Sequence, residues 1–189
     1  RPHQIANKGM VRTFQLTKSL AKMTVIDNML LGAAEQKGES LRNALLPSRW
    51  QKQEKQILKR AEDLLERFKL SHMRDEYAAT LSGGQRKLLE MARALMSEPK
   101  LILLDEPMAG VNPVLVESLL VHIENLRDEG VSVLFIEHDM DAIMGISDWI
   151  VVLAEGQVIA EGTPSDVSKN PAVIDAYLGS EIAEELKDV

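Results

Sequence analysis

The chain has 189 residues, of which 45% are hydrophobic and 27% are charged, and this composition is typical of a globular protein. Its formal charge of −7 argues against general attraction to nucleic acid, and the lack of cysteine excludes disulfides, thiolate zinc sites and thiol nucleophiles. Its apolar runs are far shorter than the roughly 20 residues of a membrane-spanning helix. Since the first residues do not resemble a signal peptide, we expect a cytosolic, soluble chain with one compact domain, or one core with a small appendage.

The first half of the chain carries helical patterns. Apolar residues recur at helical spacing between Arg49 and Leu70, which predicts an amphipathic helix with its charged face in water. Residues 33–47 predict a looser connection in front of it. A second apolar stripe follows Leu81–Gln85, where a serine and two glycines predict the start of another helix. These patterns indicate a mostly helical subdomain set against an α/β core.

The second half alternates strand and helix patterns. The apolar run Leu101–Leu104 ends in an Asp-Glu-Pro turn, and a second apolar run covers Val131–Ile136. Between them, Asn112 and Pro113 predict a helix N-cap followed by proline at the first helical position, and Gly130 predicts the helix end. Two continuous apolar strands joined by a helix predict a βαβ unit whose parallel sheet is buried on both faces.

The chain after this unit predicts a hairpin and short helices. The runs Trp149–Leu153 and Val158–Ala160 flank an Ala-Glu-Gly-Gln turn, which predicts a β-hairpin at the edge of the sheet. Short helices are predicted after Thr163 and after Asn170, because proline follows each of these capping residues. The last residues, Glu181–Val189, form a charged tail with weak helical character.

Two consecutive carboxylates end the first apolar strand. The carboxyl edge of a parallel sheet is where α/β folds bind ligands. Asp105 continues the strand and is suited to hold Mg²⁺, directly or through water. Glu106, which we expect to point away from Asp105 by strand alternation, is suited to polarise a water near the same metal. For the pair taken alone, an acidic turn without any ligand remains the alternative.

The loop Leu81–Gln85 is the second candidate site. Ser82, Gly83 and Gly84 open a helix whose first N–H groups lack helical partners and lie at the positive end of the helix dipole. Because glycine lets an oxyanion approach the backbone closely, the loop is suited to cradle a phosphate. An ordinary capped junction between loop and helix remains the alternative.

One of the four histidines, His138, directly follows an apolar strand. We expect it to emerge on the same sheet edge as Asp105 and Glu106. The other three are expected to be surface or structural residues: His3, His72 and His122. Gln15, in the sequence Thr-Phe-Gln, precedes the helical part of the chain and by itself indicates no chemistry.

Taken in order, these four features resemble the ATP-binding subunits of ABC transporters. In that family a glutamine loop, LSGGQ, an apolar run ending in DEP and a strand ending in histidine follow one another, as Gln15, Leu81–Gln85, Leu101–Pro107 and His138 do here. The resemblance covers essentially the whole chain. The segment Met108–Pro113 and the end of the chain are more particular and resemble the LivG-like ATPases of branched-chain amino acid importers. Relatives that handle urea or amides are an alternative.

The resemblance implies a P-loop NTPase-like α/β core with a parallel sheet and a helical subdomain. Residues 1–22 would be the glutamine-loop segment of the core, and residues 23–98 the helical subdomain with the LSGGQ signature. Residues 99–163 would form the α/β core with the Walker B strand and the switch histidine. Residues 164–189 would form C-terminal helices.

The resemblance also implies a signature loop that acts on a partner. In this family two ATP-binding subunits, identical or different, sandwich two ATP molecules. Ser82, Gly83 and Gly84 would contact the γ-phosphate of ATP bound to the other subunit, and Gln85 would support that contact. Transmembrane permease subunits would be the other partners, with no nucleic acid, and the subunit would lie peripherally on the cytoplasmic face of the membrane.

Catalytic roles follow from the same resemblance. Asp105 would hold Mg²⁺ through water, and Glu106 would be the general base that orients the attacking water. Gln15 would sense the metal and relay to the permease, and His138 would contact the γ-phosphate. ATP and Mg²⁺ are the implied cofactors, and hydrolysis would power transport through ATP-driven dimerisation.

The chain departs from the family at the phosphate loop. The pattern G-x-x-x-x-G-K-[ST], whose lysine reaches the β- and γ-phosphates, is absent from the sequence. Because the sequence also begins without methionine, we interpret the chain as a fragment without the first strands, the phosphate loop and the first helix. We expect negligible ATP affinity and no turnover for these 189 residues alone, together with an exposed sheet edge that favours non-native association.

Three other interpretations stay open. A DNA-repair or chromosome-organising ATPase shares LSGGQ and the carboxylate pair, but the long heptad arms or zinc cysteines of that class are absent from this sequence. A non-catalytic module that docks on a membrane partner is the second interpretation. A degenerate gene product without activity is the third.

Overall fold

The computed structural model describes Ile5 and residues 8–13, 20–39 and 50–178 of the chain. Gln15 and the charged tail Glu181–Val189 lie outside these residues. Two compact units divide the chain, Arg1–Ile136 and Glu137–Val189. The predicted division into four segments is not tested by these two units and stays a prediction. Among the described residues, no helix is long and apolar enough to cross a membrane.

The predicted strands and helices occur in the predicted order. In the first unit these are β1 (Met10–Arg12), α1 (Val25–Leu30), α2 (Gln51–Arg67), α3 (Gly83–Leu95), β2 (Leu101–Asp105), α4 (Pro113–Asp128) and β3 (Ser132–Ile136). In the second unit they are α5 (Met140–Ile146), β4 (Ile150–Ala154), β5 (Gln157–Gly162), α6 (Pro164–Val167), α7 (Pro171–Val173) and a π turn at Ile174–Leu178. Short 3₁₀ turns lie at Lys37–Glu39, Ser71–Met73 and Ala78–Thr80. β1 and α5 are two further elements that the sequence patterns do not predict.

The strands of the first unit form a parallel sheet in the order β1–β2–β3. The predicted βαβ unit is confirmed, because α4 joins β2 to β3 and begins at the predicted cap, where Asn112 Oδ1 accepts the N–H of Leu115 at 3.0 Å. The central strand is apolar because it is buried, with Ile102 and Leu104 at 0% and 1% exposure. The carboxyl ends of β2 and β3 therefore lie side by side.

One expectation about this sheet is wrong, since it is not buried on both faces. Leu134 and Ile136 of β3 are each 51% exposed, and they alternate with the half-buried Val133 and Phe135. Successive side chains of a strand point to opposite faces. One face of β3 is therefore partly covered, and the other has no cover among the described residues.

The helices α1, α2 and α3 pack on one another and form the helical part of the first unit. The predicted apolar stripe of α2 is confirmed, with Ala61 at 0% and Phe68 at 1% exposure. Asn28 of α1 is fully buried. It fixes the preceding loop, because its side-chain amide donates to the carbonyl of Thr24 at 2.8 Å and its Oδ1 accepts the N–H of Leu20 at 3.2 Å.

A buried aromatic pair joins the end of α2 to α4. The rings of Phe68 and His122 stack with their centroids 4.3 Å apart, and His122 is only 7% exposed. The Nδ1 atom of His122 is buried without a hydrogen-bond partner. Burial lowers the pKa of His122, and the positive charges of Arg67 and Lys69 lower it further. The ring is therefore neutral at neutral pH, and the expected structural role of His122 is confirmed.

The second unit is built on the predicted hairpin. β4 and β5 pair antiparallel around a turn at Glu155 and Gly156, both with positive φ. They form a two-stranded sheet of their own rather than the predicted edge of the parallel sheet, because their ladder hydrogen bonds are made to each other. The inner face contributes to a buried apolar core of Ile150, Val152, Ala160, Val167 and Val173. The outer face is about half exposed at Val151, Leu153 and Val158.

The short helices after the hairpin begin where predicted. Thr163 Oγ1 accepts the N–H of Asp166 at 3.3 Å, and Asp166 Oδ2 accepts the N–H of Thr163 at 3.2 Å. The Thr163 hydroxyl also donates to Asp166 Oδ2 at 2.6 Å, and this hydrogen bond, together with that from the Thr163 N–H, lowers the pKa of Asp166. Asn170 Oδ1 accepts the N–H of Ala172 at 3.0 Å and so begins α7.

Candidate functional site

The predicted carboxylate pair lies at the carboxyl end of the central strand. Asp105 is the last residue of β2, in register with Ile136 at the end of β3. Its side chain is 22% exposed, and its Oδ2 accepts a hydrogen bond from Arg12 at 2.8 Å. Since Arg12 ends β1, this ion pair bridges two adjacent strand ends. The carboxylate is accessible to water and to a hydrated cation.

The backbone at Glu106 leaves the extended conformation of the strand. Its φ is +44°, a left-handed value that is uncommon for residues other than glycine. The expectation that strand alternation sets the direction of Glu106 is therefore wrong. Its N–H donates to the carbonyl of Ile136 at 2.9 Å, and its carbonyl accepts the N–H of Ala109 at 3.2 Å. A strained residue held in this way is frequent at functional sites.

A lysine that sequence reasoning missed also contacts this residue. Lys87 of α3 donates from Nζ to the carbonyl of Glu106 at 2.7 Å. The sequence does indicate that Lys87 faces the protein. It stands one helical turn before the buried Met91 and therefore lies on the same face of α3. A pocket of about 20 Å³, enough for roughly one water molecule, adjoins the contact. Its polar lining comes from Thr13, Lys87, Glu90 and Asp105.

The loop Leu81–Gln85 begins α3 as predicted and forms a capping box. Ser82 Oγ accepts the N–H of Gln85 at 3.2 Å, and Gln85 Oε1 accepts the N–H of Ser82 at 2.9 Å. Gln85 thus has a structural role at this helix end. Because a hydroxyl both accepts and donates, the hydroxyl of Ser82 can still donate to an anion.

The two glycines of this loop have different surroundings. Gly83 is exposed, and a Cβ atom placed on it would meet nothing within 4 Å. Gly84 is buried, and a Cβ atom placed on it would lie 2.4 Å from Cδ1 of Leu115 in α4. Both N–H groups begin the helix and have no earlier helical carbonyl to bond. The start of α3 is therefore suited to an anion at Gly83 and closely packed at Gly84.

His138 lies two residues after β3 and belongs to the second unit. Its side chain is 76% exposed, and its Nδ1 lies 3.7 Å from Oε2 of Glu137, whose own side chain is 1% exposed. The expected convergence of His138 with Asp105 and Glu106 stays a prediction. The role of Gln15 also stays a prediction.

The site offers Mg²⁺ one carboxylate ligand rather than a full set of protein ligands. Within the described ranges, no group of three or more His, Cys, Asp or Glu side chains could hold a metal ion. Mg²⁺ usually keeps several waters and binds through one or two carboxylates together with substrate phosphates. Asp105 fits that mode, because its side chain is partly exposed at a strand end.

Comparison with known proteins places the chain in a family. The ABC transporter family model matches residues 1–109, and the model for branched-chain amino acid ATP-binding cassette transporters matches residues 157–183. The probable branched-chain amino acid transport ATP-binding protein LivG of Archaeoglobus fulgidus is 47% identical over 183 residues, which is 97% of this chain and 70% of that relative. The high-affinity branched-chain amino acid transport ATP-binding protein BraF of Pseudomonas aeruginosa is 40% identical, over 94% of this chain and 70% of its own length.

Solved structures show the same fold. A nucleotide-free ATP-binding cassette from an ABC transporter matches with a TM-score of 0.75 and 40% identity, over 94% of this chain and 71% of that one. An ATP-binding cassette in its ADP conformation matches with a TM-score of 0.76 and 40% identity, over 95% and 72% of the two chains. The predicted P-loop NTPase-like α/β fold with a parallel sheet is confirmed. The chain belongs to the family of ABC transporter ATP-binding subunits, and its relatives there are branched-chain amino acid transport ATP-binding proteins.

Proposed function

We propose that this chain is part of the ATP-hydrolysing subunit of an importer for branched-chain amino acids. The observation that carries the proposal is the placement of Asp105 and Glu106 at the end of β2, with Glu106 hydrogen-bonded to the helix that LSGGQ begins. The names of the relatives support the class of solute and favour it over urea or amides. Other subunits of the importer choose the individual amino acid.

The two carboxylates divide the chemistry. Asp105 would hold Mg²⁺, and the metal would supply charge neutralisation at the phosphates. Glu106 acts as general base and accepts a proton from the attacking water. Gln15 would sense the metal and relay its state to the permease, and His138 would contact the γ-phosphate. The hydrogen bonds on both sides of Glu106 support this assignment, because they fix the backbone from which the base projects.

The signature loop acts on ATP held by a second ATP-binding subunit. The hydroxyl of Ser82 and the N–H of Gly83 donate to the γ-phosphate, and Gly84 lets the loop pack on α4. Gln85 keeps the loop in place through the capping box. The dimer docks on transmembrane permease subunits, so the subunit lies peripherally at the cytoplasmic face of the membrane.

Binding of ATP by the 189-residue chain alone is expected to be negligible. The sequence contains no G-x-x-x-x-G-K-[ST] loop, so the lysine and backbone amides that hold the phosphates are not supplied. Calorimetric titration with Mg-ATP measures this. The control is the full-length subunit, meaning the product of the whole reading frame that contains this chain. Micromolar affinity of the 189-residue chain would contradict the expectation.

Glu106→Gln in the full-length subunit tests the base. Hydrolysis should fall by about 10²- to 10⁴-fold, the usual contribution of general base catalysis, while ATP is still bound. Glu117→Gln is the matched control, because it removes the same charge from an exposed position of α4. Equal turnover in the two variants would exclude Glu106 as the base. A wild-type full-length subunit without ATPase activity would contradict the proposed function itself.

A further inference from the structure

Lys87 connects two parts of the candidate site that are separate in the sequence. Its half-buried side chain extends from α3, the helix that begins at Ser82, to the carbonyl of Glu106, with an Nζ–O distance of 2.7 Å. Hydrogen bonds from a charged donor are stronger than those between neutral groups. The contact therefore ties the backbone of Glu106 to α3, the helix that begins at the LSGGQ loop, through a strong hydrogen bond.

Glu106 is a residue whose conformation needs such an attachment. A positive φ in a residue with a side chain costs free energy and persists only when the surroundings impose it. Three hydrogen bonds within the described part of the chain contribute to holding it: the N–H donates to the carbonyl of Ile136, and the carbonyl accepts from both Ala109 and Lys87. The first two belong to the α/β sheet and its adjoining turn. Lys87 alone among these three partners comes from the helical part.

The first turns of α3 are suited to carry a displacement to Lys87. The capping box of Ser82 and Gln85 ties the loop to the helix, and Arg86 donates to the carbonyl of Leu81 at 2.9 Å. From Ser82 to Lys87 an α-helix rises about 7.5 Å. Because the backbone hydrogen bonds of the helix keep this length stiff, a shift of the loop also moves the base of the Lys87 side chain.

We propose that Lys87 is a positioning residue that holds Glu106 and couples its backbone to the signature loop. The consequence for catalysis rests on the proposed function, in which Glu106 is the base and a phosphate on the partner engages the loop. The coupling itself is a property of this chain and can be measured without nucleotide.

Amide hydrogen exchange of the 189-residue chain, followed by NMR, measures the hold on Glu106. Lys87→Met should speed exchange of the Glu106 N–H about tenfold relative to the N–H of Val25, the change expected from losing a charge-assisted hydrogen bond. The Val25 N–H, which donates to Glu76 in the helical part, corrects for any change in overall stability. Unchanged relative exchange at Glu106 would overturn the proposal.

Two further variants separate positioning from general packing. Lys87→Arg keeps a charged donor and should restore slow exchange at Glu106. Lys59→Met removes an exposed lysine that pairs with Asp63 on α2 and should leave Glu106 unaffected. If the Glu106 N–H exchanged as fast in Lys87→Arg as in Lys87→Met, a charged donor at position 87 would not be what holds Glu106. The proposal would then fail.

Ser82→Ala tests the coupling. Loss of the cap should speed exchange at Glu106 in the wild-type chain but add nothing when position 87 is methionine. An equal effect of Ser82→Ala in both backgrounds would mean that Lys87 does not transmit it. If Lys87→Met does not fold, Ser82→Ala in the otherwise wild-type chain tests the coupling by itself. Unchanged exchange of the Glu106 N–H in that variant would refute the coupling.

Kinetics of the full-length subunit separate this inference from the proposed function. Lys87→Met should lower kcat about tenfold with ATP affinity unchanged, and Lys87→Arg should recover it. If the wild type is active and Lys87→Met has the same kcat, the positioning role is wrong while the proposed function stands. If the wild type has no ATPase activity, the proposed function is wrong while exchange at Glu106 still decides the role of Lys87.

Discussion

The helical part of the first unit and the strands β3 and β4 use their apolar side chains differently. In the helices, apolar stripes face one another, so that Val25, Met29 and Ala61 have no exposed surface. Along the strands, apolar residues at alternate positions remain open, with Leu134 of β3 at 51% and Leu153 of β4 at 59% exposure. The helices complete a core among themselves, whereas each of these strands covers one face only.

This difference indicates where the stability of the chain resides. Burial of apolar area is the main favourable contribution to folding, so the helical core contributes more per residue than the open strand faces. Contiguous exposed apolar surface marks sites of interaction with other polypeptides or of aggregation. The strand faces are therefore the surfaces at which this chain is expected to associate.

The largest effect is expected from Phe68→Ala. Phe68 is 1% exposed and stacks on His122, so its removal leaves a cavity and should cost about 3–5 kcal/mol of unfolding free energy. Urea denaturation followed by circular dichroism measures this. Leu31→Ala, at a position that is 56% exposed, is the control and should cost less than about 0.5 kcal/mol. Similar costs at both positions would remove the contrast between the helical core and exposed apolar sites.

A smaller effect is expected from acid acting on His122. Its pKa is lowered in the folded state by burial and by Arg67 and Lys69. As the pH falls through about 6.5, the unfolded chain binds a proton at this residue before the folded chain does, so folding stability is lost. The loss continues until the pH is below the lowered pKa of the folded state.

Urea denaturation of wild type and His122→Phe between pH 8 and pH 5 isolates this contribution. The variant keeps a ring against Phe68 but has no proton to bind. It should therefore lose less stability than the wild type across that range. Parallel curves for the two proteins would contradict the prediction, because they would show that the pKa of His122 is the same in the folded and unfolded states.

The smallest effect on stability is expected from Leu134→Thr. Its side chain is half exposed on β3, and threonine is a β-branched residue that strands favour, so the unfolding free energy should change by less than about 0.5 kcal/mol. Self-association, measured by analytical ultracentrifugation, should decrease. Leu104→Thr, on the buried strand β2, is the matched control and should cost about 2 kcal/mol or more. Unchanged self-association of Leu134→Thr would show that the exposed face of β3 does not mediate it.

Local sequence patterns predict most of the fold. β2, β3 and α4 follow from two apolar runs and an Asn-Pro cap, because strand formation and helix capping depend mainly on residues close in the sequence. Burial of the sheet could not be predicted in the same way. An apolar run indicates that a face can be covered, but the exposure of Leu134 depends on what packs against it.

The candidate site likewise has features that local sequence predicts and features that depend on tertiary contacts. Motifs predict which residue types carry the chemistry, and they place Asp105 at the strand end, where the structure has it. The contacts that hold the site are tertiary. Arg12 reaches Asp105 across 93 residues, and Lys87 reaches the carbonyl of Glu106 across 19 residues. Helical spacing places Lys87 on the face of the buried Met91 but does not name its partner. The pairing of Arg12 with Asp105 and the left-handed backbone of Glu106 have no local signature.

The neighbouring glycines of the signature loop are unequal as experimental probes. Any side chain at Gly84 would require the Cδ1 methyl of Leu115 to move, so a loss of function there would report altered packing of α3 on α4 as readily as a lost phosphate. Gly83 has open space around it. Alanine at Gly83 is therefore the informative mutant of this pair for asking whether the loop touches nucleotide, and defects produced at Gly84 should be read first as damage to the α3–α4 junction.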